Sequence, residues 1–236
     1  MIKLNEIGEN VIFEPIKHTY TNERGQVLTS ITTLLSMYKE VFDKSGIIAY
    51  KCGQREGISK EEMQARWKKT SDDACEYGTN FHAQIENYLK TGEIKDTPEK
   101  ETVKSFSKIK IKGEIFAELR LKSDKYLLAG TADIVTLNKN KTSVHDIKTN
   151  REFHLKSKYS KKLLYPLNHL SDCHINSYSL QILCYGEMLK EHGYDFEPGH
   201  ILWVNRAENK IEKFDVLDLS REVQDLLNHY SEISSF

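Results

Sequence analysis

The sequence predicts an α/β fold: a central mixed β-sheet flanked by helices, with a helical part toward the N-terminus. Three observations carry this. Residues 115–122 alternate apolar and polar side chains, and two further extended segments follow within short loops. An amphipathic helical stretch over 175–191 then separates them from a second pair of strands. Upstream, apolar residues recur at three- and four-residue steps over a long stretch.

The elements follow in order. Val11-Ile-Phe13 and His18-Thr-Tyr20 read as extended, with Asn22-Glu-Arg-Gly25 as a turn between strands. Ser30 is an N-cap for a helix over 32–38. Residues 41–58 carry no decisive pattern. Ser59 with Glu62 forms a capping box that opens a long helix, closed near Lys90 by Thr91-Gly92. Along it Trp67, Ala74, Tyr77 or Gly78, Phe81, Ile85 and Tyr88 recur at three- and four-residue steps. Strands are predicted over 115–121, 126–137 and 142–149, the last two joined by a polar hairpin loop. A polar, basic connection over 150–168 leads to the helix over 175–191, which His192-Gly193 ends. Strands over 200–205 and 210–216 and a helix over 220–230 complete the chain.

Composition narrows the function classes. The 236 residues are 39% hydrophobic and 29% charged, an ordinary globular balance that excludes a wholly disordered chain. Basic and acidic residues number 34 and 35, so no global field draws the protein to nucleic acid, and basic surface must be local. No apolar run is long enough for a membrane span, and Asn5, Glu6, Glu9 and Asn10 interrupt any signal-peptide core. A cytoplasmic location, bacterial or in a phage-infected cell, is therefore expected, with no membrane partner. Cys52, Cys75, Cys173 and Cys184 include no C-x-x-C pair, so they read as free thiols and not as a zinc ribbon.

Chemistry concentrates on the third of the predicted core strands. Side chains alternate along a strand, so Asp146 and Lys148 share a face. Alone, a D-x-K is most often a surface ion pair. The preceding strand, Gly130-Thr-Ala-Asp133-Ile-Val-Thr, is mostly apolar with a charge in its middle, and charges are rarely buried without a partner or a metal. The hairpin lets Asp133 and Asp146 sit side by side. Two converging carboxylates repel, and a divalent cation with oxygen ligands at about 2.1 Å for magnesium resolves the conflict. On the long helix His82 and Glu86 are four apart and share a face, either as a surface pair or as part of a site. Gly78 lets that helix lie close to the sheet.

Together, G-T-x-x-H-x-x-I-E from Gly78, G-T-A-D-I-V from Gly130, D-I-K-T from Asp146 and Q-x-x-x-Y from Gln181 resemble the RecB-like, phage-type exonuclease branch of the PD-(D/E)XK nuclease superfamily. Its members include the RecB nuclease domain, phage recombination exonucleases and the mitochondrial genome maintenance exonuclease. The resemblance spans about residues 65 to 205. It implies a restriction-endonuclease-like core over 96–236, preceded by N-terminal strands and a helical part over 1–95, all within one nuclease domain over 1–236. It also implies that Asp133 and Asp146 bind metal, that His82 joins them, that the carbonyl of Ile147 is a backbone ligand, and that Lys148 is the catalytic lysine. Gln181 and Tyr185 would lie near the active site, Gln181 bonding Lys148 or a phosphate. Glu118 either helps a second metal or is a solvated strand residue; Glu86 is either a partner of His82 or an exposed acid.

The implied cofactor is Mg2+ or Mn2+, one ion or two. Some relatives hold an iron–sulfur cluster on one upstream cysteine and a C-terminal trio; no cysteine follows Cys184, so no such cluster is expected. Charge is locally uneven. Residues 151–162 carry Arg151, Lys156, Lys158, Lys161 and Lys162 against Glu152, and residues 100–112 carry five lysines against Glu101. Beside a nuclease core these read as phosphate-tracking segments, with Phe153, Tyr159 and Tyr165 placed to stack on unpaired bases. His18, Tyr20, Ser30, Thr32 and Thr33 resemble segments that help relatives bind single-stranded ends.

The expected activity is a metal-dependent DNA exonuclease acting in recombination, replication or repair, with DNA bearing single-stranded ends as substrate. A recombinase or a single-strand-binding protein is the expected protein partner. The alternatives are an endonuclease on the same core, a nuclease-like protein that binds DNA without cleavage, and an unrelated α/β protein with a chance D-x-K.

Overall fold

In the computed structural model, which describes residues 2–14, 19–41 and 46–234, six helices flank a nine-stranded mixed sheet. The fold class is the one the sequence predicts. A 3-10 turn over Leu4–Glu6 precedes β1 (Ile12–Glu14), β2 (Thr19–Thr21) and β3 (Val27–Ser30), an antiparallel run. His18 lies outside the described residues. The Ser30 hydroxyl accepts the Thr33 amide and starts α1 (Ile31–Met37). A helix that the sequence leaves undecided, α2 (Ile47–Glu56), sits between Gly46 and Gly57, two residues at which a helix pattern loses its signal. The predicted capping box is formed: Glu62 donates its amide to the Ser59 hydroxyl, and the Ser59 amide reaches the Glu62 carboxylate. It opens α3 (Lys60–Thr91), which Gly92 closes in the left-handed conformation.

A short helix, α4 (Lys100–Ser107), occupies the first basic segment, where its lysines hid the apolar stripe of Val103 and Phe106. The core strands follow: β4 (Glu114–Ser123), β5 (Leu128–Asn138) and β6 (Lys141–Lys148). After the irregular stretch 149–173 come α5 (His174–Glu191), a two-residue strand β7 (Asp195–Phe196), β8 (His200–Asn205), β9 (Lys210–Asp215) and α6 (Ser220–Ser234). β7 is too short for any periodic pattern to show it.

β4 pairs with β5 along nearly its whole length, antiparallel, while the other edge of β5 is shared. β3 takes that edge at Leu128 and Ala129, parallel, and β6 takes it from Ile134 to Asn138, antiparallel. Between these two partners, residues 130–133 have no strand neighbour on that edge. β6 in turn leaves β5 after His145 and runs parallel to β8 from Asp146 to Lys148. The sheet is therefore split at the residues the sequence marks as chemical.

Apolar burial holds the two faces. On one, Leu34, Leu180, Ile182, Leu189, Leu226 and Leu227 from α1, α5 and α6 pack on Leu121, Val135, Val144 and Ile201. On the other, Phe81 and Ile85 of α3 and Val103 and Phe106 of α4 pack on Ile134, Ile147, Leu202 and Val204. Val144 and Ile147 fall on opposite faces, as alternation along β6 requires. Among the described residues no helix is long and apolar enough to cross a membrane.

Candidate metal centre

The register builds a transverse row of acids. Ala117 pairs with Ile134 and Leu119 with Ala132, so Glu118 stands opposite Asp133. Ile134 pairs with His145, so the next position sets Asp133 opposite Asp146. Three carboxylates thus lie abreast on β4, β5 and β6, an arrangement that like charges oppose. None of the three belongs to a regular ladder pair with its neighbour. Glu118 adopts φ of 50°, a left-handed conformation uncommon for its residue type. That local kink breaks the simple alternation read for 115–121: Leu119 and Leu121 are buried, while Ile115 is exposed.

His82 of α3 projects onto this row. Its Nδ1 lies 3.3 Å from Asp133 Oδ1 and 3.5 Å from Glu118 Oε1. His82, Glu118 and Asp133 each offer one ligand atom within 4.8 Å of the others, and the group can hold a metal ion. The donor set, one imidazole nitrogen and two carboxylate oxygens, is compatible with a divalent cation. Asp133 is only 12% exposed, and its second oxygen accepts the Ile147 amide at 2.6 Å. This bond engages the Ile147 N–H, whereas the resemblance implies a role for the Ile147 carbonyl.

Asp146 is placed beside this trio and faces Lys148 instead. Its Oδ2 is 2.8 Å from Lys148 Nζ, with the carboxylate 3% and the ammonium 18% exposed. The same oxygen is buried without a well-angled hydrogen bond, so it retains acceptor capacity. Lys148 also donates to Gln181 Oε1 at 3.1 Å, the first of the two alternatives expected of Gln181. Tyr185 lies near the acids, as expected, and also has a structural contact. Its ring is buried against Gly130, and its hydroxyl donates to the Thr131 carbonyl at 2.9 Å. That carbonyl belongs to the unpartnered stretch of β5, so Tyr185 replaces a missing strand neighbour.

Charge balance explains the protonation states. Burial alone opposes protonation of His82, but Asp133 and Glu118 override it and raise its pKa to about 10. Burial likewise works against ionised Asp133, yet His82, Lys148 and the Ile147 amide hold it below the ordinary carboxylate range. For Asp146 burial wins, aided by Asp133 and opposed by Lys148, and its pKa rises to about 6. Lys148 is penalised by burial but held above its ordinary value by Asp146 and Asp133. Protonated His82 therefore supplies positive charge between two acids, and a cation binding there displaces that proton.

Two cavities meet at Gly78 and His82. One, of about 620 Å³, is bordered by Phe13, Thr79, Glu86, Glu118, Arg120 and Thr131. The other, of about 400 Å³, is bordered by Cys75, Lys148, Thr149, Asn150 and Tyr178. A Cβ on Gly78 would stand 3.0 Å from Thr149 Oγ1, so α3 approaches the end of β6 closely at this residue. Glu86 borders the first cavity but pairs with Lys90, not with His82.

Several residues around the site escaped the sequence reading. Tyr178 lies under Lys148, and its place three residues before Gln181 on α5 is the signal that could have found it. Arg206 packs 3.4 Å over Tyr77 and donates to the Thr149 carbonyl at 2.6 Å, and Trp203 donates to the Asn150 carbonyl at 2.8 Å. These contacts pin the chain just after Lys148 and depend on long-range packing that no local motif encodes.

The expected phosphate-tracking segment is largely committed within the molecule. Lys158 pairs with Glu152, Lys161 with Glu40, and Lys162 donates to the His169 carbonyl. Arg151 and Lys156 are exposed and form no ion pair with another described residue. Phe153 is not available for a base: it stacks on Phe214 at 4.1 Å. Tyr159 and Tyr165 are exposed. Toward the N-terminus, Tyr20 is buried and bonds Thr131, and Ser30 is spent on its cap.

No protein-family model matches the chain, and no curated protein matches it. A solved structure described as "Crystal structure of SSO0001" is similar over 87% of this chain and 74% of its own, with a TM-score of 0.40 and 14% identity. Likeness at that level carries no argument about activity.

Proposed function

We propose that this chain is a metal-dependent deoxyribonuclease of the PD-(D/E)XK kind that acts at DNA ends. One observation carries the reading: a three-residue acidic and imidazole group that can hold a cation lies next to a buried Asp146–Lys148 pair on adjoining strands. A D-x-K pair on the protein surface would support nothing of the kind.

In this reading His82, Glu118 and Asp133 hold Mg2+ or Mn2+, and Asp146 adds its spare oxygen to one ion or to a second. Bound metal supplies Lewis-acid polarisation of the phosphoryl group and activation of water. Lys148, fixed between Asp146 and Gln181, holds a positive charge where negative charge develops, as preorganised electrostatic catalysis requires. Arg151 and Lys156 beyond Lys148, and Arg120 at the rim of the larger cavity, where it also donates to the Val11 carbonyl, are cations placed to meet a phosphate backbone. The close approach of Gly78 to Thr149 narrows the space between α3 and the sheet. A narrow passage favours a single strand entering from a free end over a continuous duplex. A single-strand-binding protein or a recombinase is then the partner class that delivers such ends.

Linear DNA with single-stranded termini and covalently closed circles, offered at equal nucleotide concentration with magnesium, manganese or chelator, test this. Mononucleotides or short oligonucleotides released from linear DNA alone, and only with metal, are the expected result. Rapid nicking of closed circles in magnesium would favour an endonuclease. Metal-dependent DNA binding without products would favour a binding protein.

A further inference from the structure

Lysine 148 is held from three sides. Asp146 pairs with it on β6, Gln181 accepts a bond from it on α5, and the ring of Tyr178 lies 4.7 Å from its Nζ. Tyr178 is one helical turn before Gln181, so both reach the ammonium from the same face of α5.

Tyr178 is itself held by its neighbours. One face of its ring meets Lys148. The ring of His174 lies nearly parallel to it, with centroids 5.5 Å apart and planes 5° apart. His174 is backed in turn by His154 at 4.9 Å and 12°. The phenolic hydroxyl donates to Asn150 Oδ1 at 3.1 Å, two residues beyond Lys148. These contacts fix the orientation of the ring beside Lys148.

The geometry points to Tyr178 as a positioning residue for Lys148, its ring face fixing the ammonium over the metal centre while leaving the ammonium's charge intact. This rests on the nuclease reading given above. The physical logic concerns charge. A second carboxylate would also hold the lysine, but it would cancel the positive charge needed in the transition state. An aromatic quadrupole attracts the cation without neutralising it. Gln181, an uncharged acceptor, fixes direction in the same way. The hydroxyl bond to Asn150 sets the ring's own tilt and ties α5 to the chain after β6.

Two variants separate the ring from the hydroxyl. Tyr178→Phe keeps the face and loses the bond to Asn150; Tyr178→Leu keeps apolar bulk and loses the face. Tyr178→Leu should lower kcat by roughly tenfold, the size of a partly desolvated cation–π contact, while KM and the metal concentration for half activity stay within about twofold. Tyr178→Phe should restore kcat to within about threefold of the parent. A merely structural tyrosine would shift KM and metal dependence along with kcat, or would fail equally in both variants.

A second readout needs no reaction. The ε-methylene protons of Lys148, assigned by comparison with Lys148→Arg, should resonate upfield of ordinary lysines in the parent and in Tyr178→Phe because they lie over a ring. In Tyr178→Leu they should return to the ordinary position. An ordinary position in the parent protein overturns the proposal, even if the leucine variant fails to fold. Equal loss of kcat in both variants also overturns it. If the parent cleaves no DNA with any metal, the nuclease reading falls, and the resonance still decides whether Tyr178 holds Lys148.

Discussion

Asp133 binds the backbone of Ile147 and the side chain of His82 at once: Oδ2 accepts the Ile147 amide at 2.6 Å, and Oδ1 faces His82 Nδ1 at 3.3 Å. The first contact closes the gap where β5 and β6 part, and the second lies within the group that could hold a metal. In the proposed function a single carboxylate has a structural duty and a chemical one, and substitution can separate them.

Asparagine at 133 keeps an acceptor for the Ile147 amide and loses the charge; alanine loses both. Asp133→Asn should fold and bind manganese far more weakly. Asp133→Ala should bind as weakly and also be less stable than Asp133→Asn by about 1–3 kcal/mol, the cost of leaving a buried amide without a partner. Chemical denaturation with chelator present, together with calorimetric manganese titration, measures both. Equal stability of the two variants would remove the structural duty.

Glu118 offers the opposite trade. Its φ of 50° is a strained conformation for glutamate, and it faces Asp133 across the strands. Asparagine tolerates the left-handed region and carries no charge. In a His82→Ala background Glu118→Asn should raise stability in chelator by up to about 1 kcal/mol, from relief of strain and of like-charge repulsion; with His82 present, the lost pairing with its protonated ring offsets part of that gain. Metal affinity should fall at least about tenfold, as for other disturbed metal shells. Thermal melts with and without manganese should show the metal-induced shift shrinking as the metal-free melting point rises. A lower metal-free melting point in the His82→Ala background would contradict the strain argument.

Much of this site is legible in the sequence, for definite reasons. Asp133, Asp146 and Lys148 stand out because charges interrupt apolar strands. His82 stands out because it shares a helix face with residues that reach the sheet, and Gly78 because a helix needs a small residue to approach closely. Glu118 stays ambiguous until the register sets it opposite Asp133, a relationship that depends on two strands and a kink. Tyr185 shows what the motif alone leaves out. Its place there suggests a position near the acids, and only the open edge of β5 shows its hydroxyl substituting for a strand partner. The basic run at 151–162 reads as free charge because Glu40, which pairs with Lys161, is more than a hundred residues away in sequence.

Acid sensitivity should come in part from His145. Burial, with further repulsion from His200 and Lys213, lowers its pKa to about 4, and its ring stacks on His200 at 5.3 Å. Asp215 pairs with His200 on the same side. The unfolded chain takes up this proton near pH 6.5 and the folded chain only near pH 4, so folding loses stability as the pH falls through that window. The full loss is about 3 kcal/mol. Asp146, held up to about 6, works in the opposite direction, so the quantity to read is the difference between parent and variant. In chelator, His145→Asn should show a shallower fall in stability between pH 6.5 and pH 4 than the parent. Parallel curves would show that His145 is not buried in its neutral form.

Salt dependence tests the remaining free cations. Each lysine or arginine that meets a phosphate releases counterions and adds roughly 0.7 to the slope of log affinity against log salt for single strands. Lys158 and Lys161 already hold Glu152 and Glu40, so a phosphate must compete with a carboxylate for each of them. Arg151 and Lys156 face no such competition among the described residues and should contribute nearly the full increment. Neutralising Arg151 and Lys156 together should therefore flatten the slope by about 1.4, while neutralising Lys158 and Lys161 together should change it by less than about half of that. Fluorescence anisotropy with a labelled single-stranded oligonucleotide, with calcium in place of magnesium to suppress turnover, gives both slopes over the same salt range. Equal slopes for the two double variants would mean that the internal ion pairs open freely on binding. An unchanged slope in both would place the strand's path elsewhere, with Arg120 at the rim of the larger cavity the next residue to neutralise.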